Sequence, residues 1–200
     1  MNLLTLLLLN KLKNQGGGAP SDYNAKVYTA KPEGYAYQTY GYVEFIEEIP
    51  EFDFTGFTNV SNFFSKFRNL KKVKMKNFPS TIGSLDYMFD SCTQLSEIQG
   101  FPATITLTGV NCRSTFNNCY LLVDIPSISA PSATNLSNIF HNCLALSNES
   151  LNKVLALCIS ATNAKTKTLA YLGLSSEQAT TCTTLSNWAD AETAGWTTGY

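Results

Sequence analysis

The sequence predicts an α/β solenoid of short repeated units, each a convex helical turn followed by a parallel strand, and three observations predict it. An apolar spacing recurs along the middle of the chain. The steps between its copies are nearly constant. Charges of opposite sign fall at one register of successive copies, where stacked strands would pair them.

The spacing reads Val60, Phe64, Phe67, Leu70, Val73, then Leu85, Phe89, Cys92, Leu95, Ile98. It returns as Cys112, Phe116, Cys119, Leu122, Ile125 and as Leu136, Phe140, Cys143, Leu146, after which Glu149 stands in the last place. A half-copy, Ile46 and Ile49 followed by Phe52 and Phe54, matches the strand end of the unit. Counting Ile46, Leu70, Leu95, Leu122 and Leu146 gives steps of 24, 25, 27 and 24 residues, inside the range of leucine-rich solenoids. The first three apolar positions of a unit share one face of a helical turn and the last two lead into a strand. Neither element buries its apolar face alone, so stacking makes the core, and about five short turns are expected.

The F-x-x-C-x-x-L-x-x-I unit, at Phe89, Cys92, Leu95 and Ile98 and again at Phe116, Cys119, Leu122 and Ile125, resembles the BspA-like leucine-rich repeats. The resemblance covers roughly residues 45–150. It implies a leucine-rich-repeat fold and two settings, bacterial surfaces and the virion proteins of gut bacteriophages.

Residues 1–13 hold seven leucines and no charge before Lys11. A secretory signal wants basic residues ahead of its apolar run, and here they follow it. A helix of this length reaches only about 20 Å, too short for a membrane span. Leu3, Leu4, Leu6, Leu7, Leu8, Leu9 and Leu12 are therefore expected to form an anchor helix that packs on itself or on another protein. Residues 14–22, NQGGGAPSD, have the composition of a flexible joint. Residues 23–45 carry Tyr35, Tyr37, Tyr40 and Tyr42 in strand-like alternation, expected to cap the first turn and available to stack on a ligand.

Repeats occupy residues 46–150. Six of the 14 basic residues lie between Lys66 and Lys76, and five acidic residues lie between Glu44 and Asp53. The repeat register places Lys72 between Glu48 and Glu97, so most of this charge neutralises itself. Lys66, Arg68, Lys74 and Lys76 are left less compensated, and Lys74 and Lys76 become candidate ligand contacts. Cys92, Cys119 and Cys143 share one position of the unit, which predicts buried thiols acting as small hydrophobes. The chain has six cysteines but no C-x-x-C pair, so zinc is not expected. His141 follows Phe140 at a place held elsewhere by Ser65, Asp90 and Asn117, all solvent-facing residue types.

Residues 151–200 form an expected helix–strand–helix cap. A helix is expected to begin near Ser147 or Asn148, followed by a strand over KTLAYLGLS. A second helix runs from Ser175 or Ser176 to about Ala191, with Gly195 ending it and Trp196 tucked against the last strand.

Apolar residues make up 44% and charged residues 14%, with net charge −1, so nothing draws the chain to nucleic acid or an anionic membrane. No phosphate loop, dinucleotide fingerprint, nucleophile elbow or metal motif appears, and neither a cofactor nor a catalytic constellation is expected. The Asn-x-Ser triplets at Asn59, Asn135 and Asn148 match the repeat's own habit. With the leucine helix and the glycine-rich joint, the resemblance to BspA-like repeats implies a non-enzymatic virion structural or adhesion protein: a head fibre, capsid decoration or tail-fibre component. It would be an oligomer on the virion surface, held to other virion proteins or to itself by residues 1–13 and contacting a host surface protein or glycan. The alternatives are a bacterial cell-surface or secreted adhesin and, more distantly, a polysaccharide-acting enzyme using Asp124 or Glu97.

Overall fold

Stacked strands carry the apolar pattern into a core. The structure is a computed structural model that describes residues 47–200. The expected anchor helix, joint and tyrosine cap lie outside these residues. One parallel sheet joins β1 (Glu48–Asp53), β2 (Lys72–Lys76) and β4 (Glu97–Gln99), and a second joins β3 (Thr81–Ile82), β5 (Thr104–Leu107) and β6 (Ser127–Ser129). Together they wind a parallel-strand solenoid of about three turns, each sheet being three strands deep. Alternation places the strands: in β2 Val73 and Met75 point inward while Lys72, Lys74 and Lys76 face solvent. In the second sheet Ile82, Ile105, Leu107 and Ile128 fill the same role.

Three expectations need correction. Fewer turns form than the five expected. The unit carries two strands rather than one, because the stretches between Val73 and Leu85 and between Ile98 and Cys112 each fold into a second short strand. The convex segment is not helical. It is a chain of tight turns such as Phe63 N to Val60 O and Phe67 N to Phe64 O, broken by left-handed residues four apart: Asn62 and Lys66, Tyr87 and Ser91, Ser114 and Asn118, Asn138 and Asn142. A left-handed residue cannot continue an α-helix. It turns alternate N–H groups along the solenoid axis, so Phe64 N donates to Met88 O at 2.8 Å, Phe89 N to Thr115 O at 2.8 Å and Phe116 N to Ile139 O at 2.9 Å. The arcs thus form a third backbone ladder.

Entry into three of the four arcs is set by a side chain two residues ahead, and in the third arc Arg113 N donates instead to Asp86 Oδ1. Asn59 Oδ1 accepts from Ser61 N, Ser84 Oγ from Asp86 N and Asn135 Oδ1 from Ser137 N. Two of the three Asn-x-Ser triplets are therefore turn-forming devices.

Inside, Phe64, Phe89, Phe116 and Phe140 stack ring on ring at 5.3, 5.7 and 5.9 Å. A second column runs Phe54, Phe78, Phe101 at 5.0 and 4.9 Å, edge to face. Beside the first column each repeat thiol donates to the phenylalanine carbonyl of the preceding turn: Cys92 to Phe64 O at 3.1 Å, Cys119 to Phe89 O at 3.2 Å and Cys143 to Phe116 O at 2.9 Å. All six cysteines, Cys158 and Cys182 included, are buried and free.

Turns also approach closely at glycine. A Cβ on Gly100, whose φ is +85°, would stand 1.8 Å from Met75 O. Gly100→Ala is expected to cost at least the roughly 1–3 kcal/mol of a left-handed non-glycine residue. A chemical denaturation midpoint lowered to that extent, with far-UV circular dichroism retained at zero denaturant, is the outcome to look for.

The C-terminal cap departs from helix–strand–helix. Helix α1 (Asn148–Ser160) forms as expected, its first turn closed by Ser147 Oγ accepting from Ser150 N. The predicted strand is instead a short helix, α2 (Leu169–Leu172), because Thr168 caps it and Gly173, at φ +90°, ends it. Its carbonyls receive the last rung of the arc ladder, Asn138 N to Tyr171 O and Phe140 N to Leu172 O. The long final helix is split into α3 (Ser176–Cys182) and α4 (Trp188–Thr193), since Asn152 of α1 takes the Ser186 hydroxyl and the Asn187 N–H between them. Gly195 leaves α4 with φ +91° and Trp196 is fully buried, as expected.

Candidate interaction surfaces

Three surfaces of the solenoid carry chemistry that the core does not use. The first is the outer face of β1, β2 and β4. Pairing aligns Glu48 with Lys72 and Lys72 with Glu97, the register expected from the repeat. Lys72 Nζ lies 3.0 Å from Glu97, and Lys71 Nζ 2.7 Å from Glu47. The Lys72 hydrogen bond holds the Glu97 carboxyl below its ordinary range, and Glu97 in turn raises Lys72. Lys74, expected to be less compensated, is paired with Glu51 at 3.1 Å. Lys76 is exposed on β2 in register with Asp53. Among the described residues a shallow groove of about 180 Å³ opens on this face. Its charges close on one another.

The second surface is the flank where each arc descends toward the first sheet. The residue after the thiol position is Arg68, Thr93, Tyr120 and Leu144 in successive turns, and the next is Asn69, Gln94, Leu121 and Ala145. Polar residues thus give way to apolar ones between the second turn and the third. Tyr120, Leu121, Val123 and Leu144 are exposed by 41, 46, 43 and 63%. Ser147 N donates to Val123 O, which fixes the fourth arc against the third and brings these exposed side chains to one flank. Sequence reading missed it, although aligning the positions after each thiol would have found it.

The third is a depression of about 400 Å³ where the last arc meets the cap, bordered by His141, Leu144, Ser175 and Tyr200. His141 is exposed, as expected, but the positions it continues are not solvent-facing. Ser65 and Asp90 are buried, and the Asn117 amide donates to Asp90 Oδ1 at 2.6 Å. Packing between arcs covers those polar groups, and only the last position of the column stays open. Asp86, partly buried under the arcs, has its carboxyl raised by desolvation against the opposing pull of Arg113, which also lies 5.2 Å over the Tyr87 ring.

Leu3, Leu4, Leu6, Leu7, Leu8, Leu9 and Leu12, and Tyr35, Tyr37, Tyr40 and Tyr42, lie outside the described residues. Among the described residues no three metal-ligating side chains cluster, and no helix is long and apolar enough to cross a membrane. Asp124 Oδ1 accepts from Ser147 Oγ at 3.1 Å and from Ser150 Oγ, so it ties the third turn to α1. Comparison of the chain with protein-family models, with curated proteins and with solved structures finds no match.

Proposed function

We propose that the chain is a non-enzymatic display module, a BspA-like leucine-rich-repeat solenoid that makes macromolecular contacts on the surface of an assembly. The observation that carries this reading is the apolar flank of the third and fourth arcs. A stack built from one repeated unit has no packing reason to turn apolar outward at positions that are polar one turn earlier. Exposed apolar surface grouped in this way marks a site of macromolecular contact.

The sequence pattern supports a bacteriophage virion protein as the setting, a head fibre, capsid decoration or tail-fibre component. Residues 1–13 would hold it to other virion proteins or to further copies, and several copies would add avidity to weak host contacts. The paired charges of the strand face leave that surface to solubility rather than recognition.

The test is solution mass by light scattering with intact mass spectrometry. The full chain is expected to be oligomeric and to keep Met1 or Asn2, and the chain with Leu4, Leu7 and Leu8 changed to aspartate to be a monomer with unchanged melting. Two monomers, or a native chain that lacks its first residues, would favour a freestanding bacterial adhesin instead. On the flank, Leu121→Ser with Leu144→Ser is expected to change stability by no more than about 0.5 kcal/mol, the range for exposed substitutions. A larger loss by chemical denaturation would make the patch part of the fold.

A further inference from the structure

The depression lies where the last arc meets the cap instead of a further arc. Asn118 and Asn142 occupy equivalent left-handed positions, φ 60° and 59°, and the Asn142 amide donates to Asn118 Oδ1 at 2.8 Å. The equivalent residues of the two earlier arcs are Lys66 and Ser91, so this pair is a single rung. The next layer is the loop at Gly173 and Ser175, and Asn142 Oδ1 accepts nothing from the described residues. Asn138, φ 56°, brackets His141 from the other side. Both amides are held by the arc backbone rather than by a loop.

Gly173 makes the floor. A Cβ there would meet His141 Cα at 2.5 Å, so the loop lies flat on the arc and leaves open space above it. Tyr200 forms a wall. It is 69% exposed, yet its hydroxyl already donates to Leu174 O, which pins the ring and leaves its faces free. Leu144 continues the apolar side.

The chemistry of this lining selects a ligand class. No side-chain carboxylate, lysine or arginine borders the depression, which disfavours cations and strongly charged anions. It is too open to enclose a purely apolar molecule. A fixed aromatic face beside fixed amides suits a flat ring bearing C–H groups on its faces and hydroxyls on its rim. We propose that this depression binds a neutral saccharide, with Tyr200 as the stacking platform and the Asn138 and Asn142 amides as partners of ring hydroxyls. A sugar hydroxyl donates to Asn142 Oδ1. Because ring and amides are already ordered, little side-chain entropy is lost on binding.

This site rests on the reading of the chain as a binding module and names the ligand class of one of its surfaces. The test is ligand-observed magnetic resonance and calorimetry on the full chain, with maltotriose, mannobiose and diacetylchitobiose as neutral probes and sialyllactose as the anionic one. At least one neutral probe is expected to bind and sialyllactose not to. Tyr200→Ala and Asn142→Ala are expected to weaken binding by about tenfold or more, one aromatic or hydrogen-bonded contact being worth about 1.4 kcal/mol. Tyr200→Phe keeps the ring but gives up its bond to Leu174 O, so its affinity should fall between those of the unchanged chain and Tyr200→Ala, which separates stacking from ordering of the ring. If no neutral probe binds in the millimolar range, or if binding survives Tyr200→Ala and Asn142→Ala unchanged, the site is overturned while the display reading stands on the anchor and flank variants. A bound saccharide that is cleaved would uphold the site and overturn the non-enzymatic reading.

Discussion

Phe116→Ala is expected to lower the unfolding free energy by about 3–5 kcal/mol, the range for emptying a phenylalanine site in a packed core. Phe116 is fully buried, lies within 7° of parallel to both Phe89 and Phe140, and its own carbonyl accepts the Cys143 thiol. Truncation therefore removes two stacking contacts and loosens the backbone that holds the next thiol. In a stack where each turn touches only its neighbours, the break separates the front turns from the cap. Equilibrium denaturation is expected to show two transitions in place of one. Phe101→Ala, at a half-buried ring, serves as comparison and should cost clearly less. A loss of only about 1 kcal/mol for Phe116→Ala would mean that the ring column does not couple the turns.

The second large effect is alkaline unfolding. Burial raises all six thiols above their ordinary 9.0: Cys112 and Cys143 to about 12, Cys182 to about 11, and Cys92, Cys119 and Cys158 upward as well. Below about pH 9 both folded and unfolded chains keep these protons and the thiols add no pH dependence. Above it the unfolded chain gives them up while the folded chain holds them, so stability falls as pH rises through the folded values. Each such thiol removes about 1.4 kcal/mol per pH unit, and six together exhaust the 5–15 kcal/mol typical of a domain within about two units. Far-UV circular dichroism across about pH 8 to 11 should show cooperative loss of structure, with thiols inert to a chromogenic reagent at neutral pH becoming reactive in the same window. Replacing Cys92, Cys119 and Cys143 by alanine should flatten the pH dependence even as it lowers stability at neutral pH. Structure retained up to pH 11 with the thiols still unreactive would contradict their placement in unfolding-sensitive slots.

Much of the core was legible because burial depends on spacing and not on backbone type. Val60, Phe64 and Phe67 point inward from a chain of tight turns as they would from a helix. The Glu48–Lys72–Glu97 register was legible for a similar reason, since equal repeat length fixes which residues meet. The left-handed positions were not. Asn and Ser at Asn118, Asn138 and Ser91 look like ordinary surface residues, and Tyr87 and Lys66 give no hint of positive φ. The second sheet hid in the stretch where unit length varies, and its two- to four-residue strands offer too little alternation to recognise. The flank was obscured because Tyr120 and Leu121 sit inside the run Cys119 to Val123, where a continuous apolar segment reads as core. The depression depends on contacts between His141, Gly173 and Tyr200, which no local pattern joins.

The arc ladder has a consequence for how such a chain can grow. Each arc donates its alternate N–H groups to the following arc and offers its carbonyls to the preceding one, so every arc presents the same two edges. Duplication of a unit in the middle of the chain would insert a turn whose edges already fit both neighbours. The Phe and Cys columns would lengthen by one member and the cap would be untouched. Each insertion would move the C-terminal end outward by about 4.8 Å, the strand spacing. Length is then a quantity that duplication of a unit can tune, one turn at a time, without redesign of either end.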